Sequence, residues 1–403
     1  MNRLILLASA FFIIVLGTAS CSKKTGQYAW IKHSLEITNS QLTGVTQQLK
    51  DSSFLLPRSV VNGKLRLVDP HDWTSGFFPG VLWYASELTG DPKLASQARK
   101  YTDYLYDVQT YKDTHDLGFM MMCSYGNAYR IEQKQSDKNA LLHTADNLAS
   151  RFNPKVGVIR SWDFGKWTYP VIIDNMMNLE LLFWAAENSK DTSLRKIAIT
   201  HANTTMNNHF RKDYSSFHVV NYDTVSGGVI SKETFQGYSD SSRWARGQAW
   251  GLYGYTVCYR FTHDPKYLMQ AQRIANMIMS NPNTPSDCIP YWDYNDPKIP
   301  NVPRDASAAA VTAAGLLELC QYVPSEETAY VAYAEKILES LSSDKYMAKP
   351  GEIHGFILKH STGHLPGKSE IDVPLCYADY YYLEALKRYV TIKKINLKEL
   401  MKS

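Results

Sequence analysis

The stretch LASQARKYTDYL, residues 94–105, carries apolar side chains at four regularly spaced positions: Leu94, Ala98, Tyr101 and Leu105. Steps of four, three and four residues put these side chains on one face of an α-helix, and polar residues fill the other faces. The same spacing, with alanine at the second position, recurs over residues 141–152, 267–278 and 330–341. Weaker versions lie near residues 31–50 and 192–210. The sequence therefore predicts six amphipathic helices, each with one face in water.

Six segments of a second kind alternate with these helices. They are apolar nearly all round, and they begin near Ser75, Gly118, Asp174, Trp244, Asp305 and Cys376. A helix that is apolar on every face lies inside a protein. No long strand alternation is visible, although short hairpins fit residues 156–172 and 215–235.

Six water-facing helices alternating with six buried helices predict two concentric rings. This is an all-α (α/α)6 barrel, and we expect one such domain over residues 31–395. A helical solenoid is the competing interpretation. Closure is favoured because open solenoid helices would leave a more exposed edge, and a repeat of about 60 residues is long for common helical arrays.

The N-terminus predicts export. Residues 1–20 combine a basic start, an apolar run of about 13 residues that is too short to span a bilayer, and small residues before Cys21. This pattern is typical of a bacterial lipoprotein signal peptide, with Cys21 as the lipidated residue and 21–30 as a linker. Simple secretion is the alternative. Lys23 and Lys24 follow instead of an acidic run, which favours a membrane anchor facing the periplasm.

Composition excludes several other classes of protein. The 403 residues carry 43 basic and 39 acidic side chains, and this net charge of +4 is too small for a nucleic-acid binder driven by bulk charge. The five cysteines after Cys21 form no C-x-x-C pair, so we expect buried free thiols and not a zinc site. His354, His360 and His364 lie in a polar stretch that fits a surface loop better than a metal site.

The barrel concentrates polar residues at one mouth, because all inner helices of such a barrel point the same way. The residues at their N-terminal ends include His71, Asp72, Trp73, His115, Asp116, Asp174, Arg243, Trp244, Arg246, Arg304, Asp305, Tyr377 and Asp379. Any single aspartate there is well explained as a helix cap. Capping does not explain the flanking tryptophans, or an arginine in an apolar helix start where a charge needs a partner. Carboxylates, arginine and aromatic walls together suit an acidic sugar.

Four motifs along the chain resemble a known family. They are DWTSGFFPG (72–80), HDLGF (115–119), IDNMMNL (173–179) and WARGQAWG (244–251). In this order they are similar to the unsaturated glucuronyl hydrolases of glycoside hydrolase family 88, over about residues 30–390. The family fold is an (α/α)6 barrel, and the tryptophan motif alone is shared with unsaturated rhamnogalacturonyl hydrolases.

The resemblance implies hydration of the C4=C5 vinyl ether in the unsaturated uronic acid that polysaccharide lyases leave on their products. By position, Asp174 is the general acid and base, and its burial should raise its pKa. Asp116 is expected to stay ionised and to bind ring hydroxyls. Substrate contacts are implied at Trp73, His115, Trp162, His218, Thr234, Gln236, Arg246 and Trp250. No metal or organic cofactor is implied.

Substrate choice stays open at this point. Unsaturated oligosaccharides from glycosaminoglycans or from plant or bacterial uronates are candidates, and the basic stretch 359–369, with Lys368, either meets a sulfate or is a solvated loop. Three rivals remain: an unsaturated rhamnogalacturonyl hydrolase, a non-catalytic glycan-binding lipoprotein, and an epimerase or isomerase on a similar barrel. The sequence leaves the oligomeric state undefined.

Overall fold

A computed structural model describes residues 26–50 and 54–402 of the chain. The predicted signal peptide and the lipidation site Cys21 lie outside these residues. Within the described part, no helix is both long and apolar enough to cross a membrane.

Within residues 26–50 and 54–402, twelve helical segments alternate between an outer and an inner ring, as the spacing of apolar residues predicts. The outer helices are α1 (Ala29–Gln48), α3 (Pro92–Asp103), α6 (Gln135–Ala149), α8 (Ser193–Asn208), α10 (Pro265–Met279) and α12 (Glu327–Leu341). The inner helices are α2 (Phe77–Thr89), α4 (Leu117–Met121), α7 (Asn175–Asn188), α9 (Ala245–Thr262), α11 (Ala306–Leu319) and α13 (Cys376–Ile392). Helix α4 continues through a π-helical turn, Met122–Gly126, into α5 (Asn127–Glu132), and a last short helix, α14, covers Leu397–Leu400.

The inner ring closes on itself. Helix α2 packs on the π-helical turn that continues α4, and from α4 onward each inner helix packs on the next one along the chain. Helix α13 packs on both α11 and α2. The (α/α)6 barrel is confirmed, and the solenoid is wrong because its first and last helices would not meet.

Local sequence explains where the outer helices begin and how the inner ones pack. Asp91 and Asp264 each cap a helix by accepting a hydrogen bond from a backbone N–H, with proline at the next position. Every residue of α11 is buried, and most of them are apolar, as expected for an inner helix. Gly118 lets α4 approach α7, because a Cβ there would lie 2.6 Å from the Cα of Asn178.

Short antiparallel strands decorate the helix ends. Those expected near 156–172 and 215–235 are β3 (Phe152–Asn153) with β4 (Val158–Ile159), and the sheet of β5 (Pro170–Ile172), β6 (Val219–Tyr222) and β7 (Val229–Glu233). Two further hairpins were not anticipated: β1 (Leu56–Val61) with β2 (Lys64–Val68), and β8 (Ser361–His364) with β9 (Ser369–Val373). The five described cysteines are all buried and free, as expected.

Candidate active site at the mouth of the barrel

A cavity of about 730 Å³ opens where the inner helices begin. Its floor is built by the first residues of α4, α7 and α9, and its rim by the loops and hairpins between helices. It is lined by Arg58, His71, Trp73, Tyr111, Asp113, Thr114, His115, Asp116, Ser161, Trp162, Asp163, Phe164, Ile172, Asp174, Phe235, Gln236, Arg246, Gly363, His364, Ser369, Glu370 and Tyr377. The structure thus brings together seven of the ten predicted catalytic and binding residues.

Asp116 stands directly before α4 at the cavity wall. One carboxylate oxygen accepts a hydrogen bond from the Thr114 hydroxyl at 3.2 Å, and the other lies 3.4 Å from His115 Nε2. Burial, reinforced by the nearby charge of Asp174, raises the pKa of Asp116 to about 7. Burial and the second carboxyl thus oppose ionisation of Asp116, and the expectation that it stays ionised depends on its hydrogen bond from Thr114.

Asp174 stands directly before α7 and is 8% exposed. Burial raises its pKa to about 7, against the opposing effects of the Arg246 charge and the Trp250 indole. Because the charge of Asp174 acts on Asp116, the two carboxyls titrate as a coupled pair.

Two buried histidines flank the carboxyl pair. Burial holds the pKa values of His115 and His218 well below their usual range, so both rings are neutral at neutral pH. The Nε2 atom of His218 lies 3.8 Å from Asp174 Oδ2. His218 is not on the cavity surface and meets the carboxyl from behind.

Arg246 is 1% exposed and is held on three sides. Its guanidinium donates to the Asp305 carboxylate at 2.7 Å and to the backbone carbonyls of Thr362 and Gly363 at 2.6 Å each. Three of its five N–H groups are used in this way, which leaves two for a substrate. The partner that a buried charge requires is thus Asp305.

Aromatic side chains form the walls. Trp73 packs against Tyr377 with ring centroids 5.1 Å apart, and Trp162 stacks on Phe164 at 5.1 Å. Phe164 is 57% exposed at the rim, and Phe235 lies 5.6 Å from Trp162. Flat apolar faces of this kind pack against sugar rings.

Several residues expected at the mouth lie elsewhere or are already engaged. Thr234 does not line the cavity, because its hydroxyl accepts the backbone N–H of Gly237 and shapes the turn that presents Phe235 and Gln236. Trp250 is fully buried beneath the floor. Five other residues are engaged in contacts within the protein. Asp72 pairs with Arg58, Arg243 with Asp213, and Arg304 with Asp287. Asp305 pairs with Arg246, and Asp379 accepts the backbone N–H groups of residues 357 and 358.

The unanticipated hairpins supply two residues that the sequence reasoning missed. Arg58 on β1 pairs with Glu370 on β9 at 2.7 Å and with Asp72 at 2.7 Å. Arg66 on β2 adds a third contact to the same network, 3.0 Å from Glu370. The dipeptide Asn62-Gly63 is the sequence signal that could have indicated the first hairpin, because Asn-Gly favours a tight turn between strands. Both residues have positive φ in the structure, as such a turn requires.

Four buried polar atoms at or just behind this cavity have no hydrogen-bond partner among the described residues. They are His115 Nδ1, Trp162 Nε1, Asp174 Oδ2 and His218 Nε2. Buried polar groups are normally satisfied, so these four atoms are available for hydrogen bonds that form during binding or reaction.

Other candidate sites are poorer. A cavity of about 450 Å³ lies at the opposite end of the barrel, but its charged side chains pair with one another, as Arg260 does with Glu180 at 2.7 Å. In the described part of the chain, no three His, Cys, Asp or Glu side chains are grouped to hold a metal. His354 and His360 bind Gly63 and Asp372 instead.

Comparisons with known proteins identify relatives along nearly the whole chain. No family model matches the chain. An unsaturated glucuronyl hydrolase from Formosa agariphila is 44% identical over 390 residues, which is 94% of this chain and 97% of the relative. An unsaturated chondroitin disaccharide hydrolase from Streptococcus agalactiae is 35% identical over 81% of this chain and 84% of its own length. A crystal structure of an unsaturated glucuronyl hydrolase specific for heparin superposes with a TM-score of 0.89 at 55% identity, covering 92% of this chain and 99% of that one.

Proposed function

Because the chain belongs to the unsaturated glucuronyl hydrolases of glycoside hydrolase family 88, we propose that it acts on lyase-generated glycosaminoglycan oligosaccharides. It releases the 4,5-unsaturated uronic acid from their non-reducing end. The observation that carries the proposal is the pair Asp116 and Asp174, whose pKa values are both raised to about 7 at the floor of an aromatic-walled cavity. A group that gives and retrieves a proton near neutral pH works best with a pKa close to that pH.

The proposed reaction begins with a proton transfer from Asp174 to C4. The C4=C5 electron pair forms the new C–H bond, and positive charge develops at C5 and on the ring oxygen. Water then adds at C5 and returns a proton to the Asp174 carboxylate. The resulting hemiketal opens to a ketone at C5 and leaves a hydroxyl on C1. The hemiacetal at C1 then collapses to an aldehyde, and the remaining sugar departs with the proton of that hydroxyl.

Asp116 holds the negative charge of the pair while Asp174 holds the proton. Its hydrogen bond from Thr114 favours the ionised form, and its side chain is the more exposed of the two, at 16% against 11%. An ionised Asp116 keeps the proton on Asp174 by like-charge repulsion, accepts hydrogen bonds from ring hydroxyls and stabilises the cationic intermediate.

The walls bind the substrate. Trp73 and Trp162 pack on the sugar faces, and the two unused N–H groups of Arg246 meet the uronate carboxylate. His115 and Gln236 contribute polar contacts. His218 and Trp250 act on Asp174 from below the floor, and Thr234 acts only through its turn.

We propose heparin-derived disaccharides as the preferred substrates. The support is the 55% identity to a relative described as specific for heparin. Lys368 stands exposed at the turn between β8 and β9, close to the lining residue Ser369, where its charge can meet a sulfate. Lys368→Ala should therefore impair sulfated substrates more than unsulfated ones, and equal losses on both would refute the sulfate contact.

The test uses protein lacking residues 1–21 and unsaturated disaccharides from heparin, chondroitin, hyaluronan and rhamnogalacturonan. The ultraviolet absorbance of the C4=C5 bond is followed with wild type and Asp174→Asn. Loss of absorbance with wild type alone supports the proposal. Activity confined to the rhamnogalacturonan product would favour that sibling enzyme, and binding without turnover would favour a glycan-binding protein.

We also propose that the chain is exported and anchored through a lipid on Cys21, facing the periplasm. The support is the pattern of residues 1–21. Labelling cells with a fatty-acid analogue should mark the wild-type protein and not Cys21→Ser. Label on the variant, or none on either, would contradict the anchor.

A further inference from the structure

The ring of His218 is fixed by two backbone amides. Its Nδ1 accepts hydrogen bonds from the N–H groups of Phe235 at 3.0 Å and Gln236 at 3.2 Å. A ring nitrogen that accepts in this way carries no proton, so the proton of the neutral imidazole resides on Nε2. The turn at residues 234–237 therefore selects one tautomer.

The protonated nitrogen faces the proposed catalytic acid. His218 Nε2 lies 3.8 Å from Asp174 Oδ2, and both atoms are buried without a hydrogen-bond partner among the described residues. The two atoms point at each other across a gap slightly longer than a hydrogen bond, which a movement below 1 Å would close.

We propose that His218 is a positioning residue that presents a fixed Nε2–H to Asp174 Oδ2, and that Asp174 Oδ1 therefore carries and transfers the catalytic proton. An oxygen that faces an N–H donor is an acceptor, so a protonated carboxyl places its hydrogen on the other oxygen. Oδ2 is buried whereas the Asp174 side chain lines the cavity, so Oδ1 is the oxygen that reaches it. This inference rests on the proposed function for the role of Asp174.

The contact strengthens as the reaction proceeds. When Asp174 gives up its proton, Oδ2 becomes part of a carboxylate, and an N–H donor binds a carboxylate more strongly than a neutral acid. His218 thus stabilises the ionised form that exists after protonation of C4, which is a differential effect on the reaction. It exchanges no proton itself, because burial and the charge of Arg246 keep its ring neutral.

Other titratable groups lie near Asp174 and His218. Asp174 faces Asp116 from the start of α4 and Arg246 from α9. His218 faces Arg246 and also His364 and His209. None of these residues changes in the variants of His218, so a shift in the titration of Asp174 reports on the His218 contact.

The direct test is a histidine side-chain ¹⁵N spectrum of the wild type, with the His218 signals assigned by their loss in His218→Gln. We expect the Nε2–H tautomer, unchanged from about pH 5 to about pH 8. An Nδ1–H tautomer, or titration of the ring within that range, would overturn the proposal. This measurement needs no substrate, and the one variant that it uses, His218→Gln, keeps an amide N–H near the same place.

Kinetics test the consequence for Asp174. His218→Leu should lower kcat by about tenfold to a hundredfold with KM nearly unchanged, since it removes one hydrogen bond to a charged group. Loss of a donor that favours the carboxylate raises the pKa of Asp174, so the alkaline limb of the pH profile should move up by about one pH unit. His218→Gln keeps an amide N–H near the same place and should restore both values most of the way.

A matched control is His209→Gln, a buried histidine that hydrogen-bonds the carbonyl of Val171. It should leave kcat and the alkaline limb unchanged. An unmoved limb in a folded His218→Leu would overturn the proposal. A wild type that consumes no C4=C5 absorbance would refute the proposed function and the Oδ1 assignment together, whereas the tautomer is decided by the spectrum alone.

Discussion

Replacing Asp174 by asparagine should abolish activity and yet stabilise the fold in alkaline solution. Burial raises the pKa of this carboxyl from 3.8 to about 7, so the folded state holds the proton more tightly than the unfolded state does. Stability is therefore lost as the pH rises from the unfolded value to the folded value. Asparagine does not titrate, and the variant escapes this loss.

The size of the effect follows from the two pKa values. The pKa rises by about three units, and each unit corresponds to about 1.4 kcal/mol. The free energy of unfolding is therefore lower by about 4 kcal/mol above pH 7 and by about 1.5 kcal/mol at pH 5. The gain from Asp174→Asn should therefore be larger at pH 8 than at pH 5 by up to about 2.5 kcal/mol. Coupling to Asp116 makes this an upper bound, because relief of one charge also lowers the pKa of the other.

Urea unfolding at pH 5 and pH 8 measures the gain in stability from Asp174→Asn. For a chain of this length, the rise in Tm caused by the substitution should be larger at pH 8 than at pH 5 by about 3 °C. Asp113→Asn is the matched control, because Asp113 is an exposed carboxyl on the rim of the same cavity. Its effect should be the same at both pH values. A gain from Asp174→Asn that is independent of pH, or larger at pH 5, would refute the account of Asp174 as a carboxyl penalised by burial.

Three other changes test the remaining parts of the structure. Arg246→Met leaves the fully buried Asp305 without its partner and should lower the free energy of unfolding, measured in urea, by about 3–5 kcal/mol. Adding Asp305→Asn should recover part of this loss. No recovery would mean that the loss comes from packing and not from the unpaired charge. Gly44→Ala should raise the free energy of unfolding by up to about 1 kcal/mol, because Gly44 lies in α1 with nothing within 4 Å of a new Cβ, and a loss would reveal an overlooked constraint. Phe164→Ala removes an exposed ring that stacks on Trp162 and should raise KM several-fold with kcat unchanged, whereas a fall in kcat alone would exclude a purely binding role.

The architecture was predictable because it depends on the regular spacing of apolar residues along each helix. The step pattern of Leu94, Ala98, Tyr101 and Leu105 records one buried face, and α3 buries the first three of these residues on a single side. The count of six alternating pairs then fixed the barrel. The strands of the hairpin β1–β2 have no regular alternation of buried and exposed residues. The turn at Asn62 was therefore their only signal in the sequence.

The sequence predicted seven residues that line the cavity, but it did not predict how they are connected. The motifs marked Asp116 and Asp174, yet the electrostatic coupling between them depends on the approach of α4 to α7. Arg58 and Glu370 are 312 residues apart in sequence, and no local pattern pairs them. Burial and long-range pairing determine which charge meets which, and both emerge only after the ring has closed.

The ring closes only when its last inner helix is in place, and we expect the enzyme to become active only at that stage of its synthesis. The cavity takes Arg58 from near one end of the described chain and Tyr377 from near the other, and α13 is the helix that joins α11 to α2. A nascent chain that has not yet released α13 therefore has an open ring and no complete binding pocket. We therefore expect a chain truncated before residue 376 to be inactive, because it lacks Tyr377 and the helix that closes the ring.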